Sequence, residues 1–189
     1  MSHHGQVPKL PQALGRFWYN RAAMSKQYLG YTKNNLRVFV DTESSHATAH
    51  ITDDPALLAL IPGILASTLA IDGNIYFDKD MGRVVGKCDL VETRDDDQIV
   101  YAKRRNRNNY ARFVLNRAPE QTSFITLALN RVATGEYELK SVWFGRLAPQ
   151  FPGDNGATEE SGPFWRRHAL AWGTQVVQEG TKTNFWPWD

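Results

Sequence analysis

The chain has almost no sulfur chemistry to draw on. Cys88 is the only cysteine among 189 residues, which excludes an intrachain disulfide and suits a reducing compartment. No CxxC or HExxH spacing is present to hold a metal, and no GxSxG elbow surrounds a serine. Long hydrophobic runs are missing too. The most apolar stretch, "ALLALIPGILASTLAI" (56–71), is short for a membrane span and is interrupted by Pro62-Gly63, so it reads as a buried helix. The opening "MSHHGQVPKLPQ" has no apolar signal-peptide core. These absences lead to the expectation of a soluble, cytoplasmic protein with no cofactor and no membrane partner. Net charge is small too, because 22 Lys and Arg nearly balance 20 Asp and Glu: a net +2 gives no global case for nucleic acid, so any such case must be local.

What is there begins with that local case. Residues 99–114, "IVYAKRRNRNNYARFV", carry Lys103, Arg104, Arg105, Arg107 and Arg112 with no acidic residue among them. Either this face holds something negative, or it is solvated and balanced by the acidic stretch Asp89–Asp97. Mixed with Tyr101, Tyr110 and Phe113, the cations suit a sugar–phosphate backbone with unstacked bases. Of the six tryptophans, Trp172, Trp186 and Trp188 fall near the C-terminus.

The length suits one domain with a proper core. Residues 1–10 read as a loose leader, 11–145 as an α+β core, and 146–189 as a Pro/Gly-rich loop, helix and aromatic tail packed on it. The spacing of Leu14, Phe17, Trp18 and Met24 predicts a helix over 11–31 ending near Gly30. "LRVFVD" (36–41) and "ATAHIT" (47–52) read as strands. Asp53-Asp54-Pro55 opens a helix through Leu69, which Pro62-Gly63 is expected to kink or split. Strands follow at 83–93, 99–104, 122–130 and 137–145, with a turn at Gly135. Residues 106–117 read as a helical turn or an excursion. A last helix spans 161–173, with Ser161 as its N-cap and Gly173 as its C-cap. The expected architecture is therefore α+β: N-terminal helices packed on an antiparallel sheet of four or five strands, with a C-terminal helix.

Beside the basic stretch, three groups carry candidate chemistry. In "HATAHIT", His46, Thr48 and His50 share one strand face, and imidazole is the side chain most readily poised for proton transfer near neutral pH. A zinc site would need His46, His50 and a third ligand from Asp41, Cys88 or His168. On "YELKSVWFG", Ser141 falls in one alternating set with Tyr137, Leu139 and Trp143, a small polar residue among large apolar ones. In "FWRRHAL", His168 lies beside Arg166 and Arg167. Each has an inert alternative: a local backbone bond for the hydroxyls, solvation for the charges, packing for His168.

Metal-free RNA cleavage needs a base for the 2′-hydroxyl, an acid for the departing 5′ oxygen, and cations or hydroxyl donors for the charge building on phosphorus. His50, Lys103, Arg112, Ser141 and His168 supply those types as catalytic candidates. Tyr101, Arg104, Arg107 and Thr122 are candidate substrate-binding residues. The order "HIT", apolar helix, "VVGKCDLV", "IVYAKR", "ARFVLNR", "TSFITLAL", "YELKSVWFG" over residues 46–145 resembles the barnase–EndoU–colicin–RelE superfamily of metal-independent ribonucleases, in its phage and polymorphic-toxin branch. That resemblance implies N-terminal helices on a four-stranded antiparallel sheet. It maps a histidine onto His50, cations onto Lys103 or Arg112, a hydroxyl onto Ser141 and a supporting donor onto Thr122. It also implies RNA as substrate and an antitoxin or immunity protein as partner. The alternative is a catalytically inactive RNA- or protein-binding module.

Overall fold

Strands dominate the chain, because β-branched and aromatic residues recur in short runs broken by Gly, Pro and Asp. The computed structural model describes residues 25–43, 55–68, 73, 75–105 and 107–188. Among them are eleven strands in three sheets and two short helices. This corrects the expected architecture. Residues 26–31 form a strand where a helix was expected, and the C-terminal helix stops after two turns. The first part of that N-terminal helix, the strand at 47–52 and the Asp53-Asp54 signal lie outside the described residues.

The larger sheet has the order β1 (Lys26–Tyr31), β2 (Arg37–Asp41), β10 (Glu136–Phe144), β9 (Phe124–Ala133), β3 (Ile75–Asp80). All neighbours are antiparallel except β2 and β10. Gly135, at φ +78°, supplies the left-handed turn between β9 and β10 that a side chain resists. Helix α1 (Pro55–Ala66) lays Leu57, Ile61, Ile64 and Leu65 onto this sheet, against Val38, Val40, Leu127, Leu129 and Leu139. Its outer face is small: Ala56, Ala59, Pro62 and Gly63 are exposed. The helix runs unbroken through Pro62. The four buried side chains hold both halves to the sheet, so losing one backbone hydrogen bond does not split it. At its C-terminal end Ser67 Oγ and Thr68 Oγ1 both donate to Ile64 O, at 2.8 and 2.9 Å, and Thr68 N donates to Leu65 O at 2.9 Å.

The second sheet has the order β5 (Leu90–Glu92), β11 (His168–Ala171), β7 (Tyr110–Val114), β6 (Ile99–Lys103). Strand β7 replaces the expected helical excursion, and β11 replaces the second half of the expected last helix. Both are interior strands of the sheet. Ala111, Phe113, Val114, Ala169 and Ala171 are fully buried, so ladder pairing and burial on both faces override the helical bias of "RRHALA". Helix α2 (Ser161–Arg167) precedes β11. Glu160, not Ser161, is its N-cap, and the buried Ser161 Oγ instead accepts from Thr158 N at 3.0 Å. Gly173 lies in the turn after β11. A two-stranded ladder, β4 (Gly86–Cys88) with β8 (Glu120–Thr122), completes the set.

The C-terminal segment after β11 covers β6. Thr183 and Tyr101 exchange backbone hydrogen bonds at 2.8 Å, and Trp186 and Trp188 meet the Tyr101 ring edge-on at 5.9 and 5.5 Å. Trp165, fully enclosed, stacks on Phe151 at 3.8 Å and donates Nε1 to Pro149 O at 3.0 Å.

Candidate functional site

The basic stretch folds into the β6–β7 hairpin, with Arg104, Arg105 and Arg107 in its connection. The turn is pinned on several sides. Arg107 N donates to Arg104 O at 3.0 Å, Arg105 N to Val176 O at 2.8 Å, and Gln178 Nε2 to the carbonyls of Arg104 and Arg107 at 3.1 and 2.8 Å. Three cations are thereby held at one place by backbone geometry rather than by carboxylates. The acidic stretch does not neutralise them. Asp97 pairs with Arg117 at 3.0 Å, and Asp89 accepts from Thr174 and Gln175 at 3.2 and 3.1 Å. Among the described residues the one ion pair in this turn is Arg104 Nη2 to Asp154 Oδ2, at 3.8 Å.

Arg104 and Arg107 line a cleft of about 1160 Å³ between the two larger sheets. Its opposite wall is the end of β10, Ser141 to Phe144, with Tyr76 from β3; Lys87, Asp89 and Arg146 complete its charged lining. A register shift between Leu139 and Ser141 decides what this wall presents. The bulge flips the alternation. Val142 joins Tyr137 and Leu139 in the core, and Ser141 and Trp143 take the opposite face. The single alternating set expected for Tyr137, Leu139, Ser141 and Trp143 is thus broken in the middle. Four cations and one carboxylate surround the cleft. Burial pushes the Arg104 guanidinium below its ordinary value, Asp154 opposes the shift, and neighbouring Arg107 adds to it.

The other candidates fall elsewhere. Thr122 and His168 line a separate cavity of about 220 Å³, beside Glu92, Glu120 and Gln121. There Thr122 Oγ1 accepts from Phe124 N at 3.1 Å, and His168 Nδ1 donates to Phe164 O at 3.0 Å while its ring stacks on Phe164 at 4.0 Å. Cys88 and Arg146 line both cavities. Burial raises the Cys88 thiol, which holds it protonated and apolar in behaviour. Lys103 reaches Asn108 Oδ1 at 3.4 Å and the Tyr110 ring at 5.4 Å. Tyr101 is buried under the tail.

Arg112, expected to clamp phosphate, is 9% exposed. Its Nη1 donates to the carbonyls of Trp165, Arg166 and His168 at 3.0, 2.9 and 3.0 Å. A buried guanidinium here caps the carbonyl end of α2, where the partial negative charge of unpaired C=O groups supplies the counter-charge. His46 and His50 lie outside the described residues, and among the described residues no group of three His, Cys, Asp or Glu is placed to hold a metal ion. Nor is any described helix long and apolar enough to cross a membrane.

Lys87, Trp143 and Arg146 were missed from the sequence. Trp143 was recognised only as a neighbour of Ser141, and nothing about a lone Lys or Arg beside a strand marks it as facing a cleft. No family model, no curated protein and no solved structure matches this chain. The resemblance to the barnase–EndoU–colicin–RelE group therefore rests on residue order, and the observed sheets differ from the architecture it implied.

Proposed function

We propose that the protein binds single-stranded RNA along the cleft between its two larger sheets. One observation carries this reading: Lys87, Arg104, Arg107 and Arg146 line the cleft against Asp89 alone, with Trp143 and Tyr76 on the facing wall. A groove of cations that tracks phosphates, beside aromatic faces on which bases stack, is the general means of holding an unpaired strand. The size fits as well. About 1160 Å³ exceeds the roughly 300–1,000 Å³ of small-molecule pockets and accommodates a run of nucleotides.

Cleavage of the bound strand is a second reading, favoured by one observation: the Ser141 hydroxyl lines the same cleft as Arg104 and Arg107. It needs an imidazole as well. His168 borders the smaller cavity instead, and His50 lies outside the described residues. Binding requires no such addition and is the reading the geometry supports best.

Fluorescence anisotropy with an unstructured labelled RNA tests both. Four single-strand phosphate contacts give a log–log salt slope of about −2.8, or about 50-fold weaker binding between roughly 50 and 200 mM salt. Trp143→Ala should weaken binding at every salt concentration without changing that slope. A flat salt response, or full affinity in Trp143→Ala, would count against the cleft. The same RNA recovered cut in the presence of chelator, and intact with His50→Ala, would establish the second reading.

A further inference from the structure

Arginine side chains buried in proteins account for their N–H groups. Here Arg117 donates to Glu92 O and to the carboxylates of Asp97 and Glu120, and Arg112 is committed to the end of α2. Arg104 is different. Its Nε, like that of Arg112, is shut away without a partner, but where Arg112 Nη1 donates to three carbonyls, the guanidinium of Arg104, on a side chain 25% exposed, makes no hydrogen bond among the described residues. Asp154 at 3.8 Å offers charge but lies beyond hydrogen-bonding reach. A guanidinium carries five donors in a planar fork, and leaving them unmet in a partly desolvated place is costly. The Phe151 ring lies under the guanidinium, 5.0 Å from its central carbon, and the hydrogen-bonded turn fixes the backbone behind it. The group is held ready for an acceptor that the protein itself does not provide.

We propose that the Arg104–Arg107 end of the cleft is a receptor for the terminal phosphate of a nucleic-acid strand, a phosphate monoester rather than a bridging diester. The inference rests on the RNA-binding reading and goes further by naming which part of the strand sits where. Two features select the terminus. Two cations of the turn, Arg104 and Arg107, line this end of the cleft, and among the described residues the turn's one ion pair is Arg104 with Asp154, at 3.8 Å. A monoester, with a charge of about −1.5 to −2 near neutral pH and three acceptor oxygens, matches that surplus and that donor count better than a diester with one charge and two free oxygens. Access points the same way. A backbone passing through must enter and leave, whereas an arginine side chain three-quarters enclosed and backed by Phe151 and Asp154 receives an end group. Fork-to-oxygen pairing of this kind is what distinguishes arginine from lysine at phosphates.

The test compares one unstructured RNA in three forms: hydroxyl at both ends, phosphate at the 5′ end, and phosphate at the 3′ end. Binding is measured by competition against a labelled strand. One of the two phosphorylated forms is expected to bind at least ten-fold tighter than the hydroxyl form. Arg107→Gln, at an exposed position, should reduce that preference several-fold, and Arg104→Gln should abolish it; both line the RNA cleft and weaken the hydroxyl form as well, so the quantity read is the ratio of phosphorylated to hydroxyl affinity within each variant. A thermal melt of each variant confirms that it is folded, and Arg107→Gln alone decides the matter should Arg104→Gln melt early. Inorganic phosphate at millimolar concentration should compete with the phosphorylated strand and not with the hydroxyl strand. Equal affinity for all three forms would overturn the terminal-phosphate site and leave RNA binding standing. Failure of every form to bind would overturn both.

Discussion

Arg112→Ala is expected to destabilise the fold by about 3–4 kcal/mol, measured by urea denaturation. The substitution deletes a buried cation and leaves the carbonyls of Trp165, Arg166 and His168 facing a cavity in place of Nη1 at 2.9–3.0 Å. Hydrogen bonds to a charged donor contribute about 1.5–3 kcal/mol each and are not additive, and truncation also removes packing at the junction of α2, β7 and β11. Arg112→Lys should recover part of the loss, because an ammonium restores charge at the carbonyl end without the planar fork. RNA affinity in whatever fraction remains folded should match the parent chain. A variant that kept its stability and lost binding instead would return Arg112 to the phosphate-contacting set.

Gly145→Ala is expected to cost about 2–5 kcal/mol for two separable reasons. Gly145 has φ +114°, a backbone state that disfavours any Cβ by about 1–2 kcal/mol. A Cβ there would also run into Cys88 Sγ, and overpacking of this kind costs about 1–3 kcal/mol more. Gly145 follows β10, accepts the buried Thr126 hydroxyl on its carbonyl at 2.6 Å and donates its N–H to Phe124 O at 2.8 Å, so the chain cannot step aside. Adding Cys88→Ala to Gly145→Ala should return the steric part and leave the conformational part, which a double-mutant cycle reads directly. Equal loss with and without Cys88 would show that the contact is relieved by backbone movement.

The sequence made the strands at 36–41, 99–104, 122–130 and 137–145 legible, because each is a run of branched or aromatic residues bounded by turn formers. It made the apolar helix legible for the same reason. It did not reveal β7 or β11. "ARFVLNR" and "FWRRHALAWG" have helical composition, and what makes them strands is a place inside a sheet assembled from segments far apart in the chain: β11 pairs with β5 on one side and β7 on the other. Non-local pairing of that sort leaves no mark in a local window. The candidate site was half legible for a related reason. A basic run announces its charges, yet Arg104 and Arg112, eight residues apart on one hairpin, have opposite fates. Arg112 faces the carbonyls of α2 and becomes part of the fold; Arg104 lines the cleft and keeps its donors. Ser141 reached the cleft only through the bulge after Leu139, which the alternation of the sequence conceals. His50 lies outside the described residues.

The most direct measurement of the central claim is amide shift mapping on isotopically labelled protein titrated with an unstructured RNA. The largest changes are expected along Ser141–Leu147, at Lys87–Leu90 and at Arg104 and Arg107, with little change at the exposed edge of β1 around Tyr28 and Tyr31. Shifts gathered instead on β1, on the tail around Phe185, or on the smaller cavity beside His168 would contradict the assignment of the cleft as the RNA-binding surface.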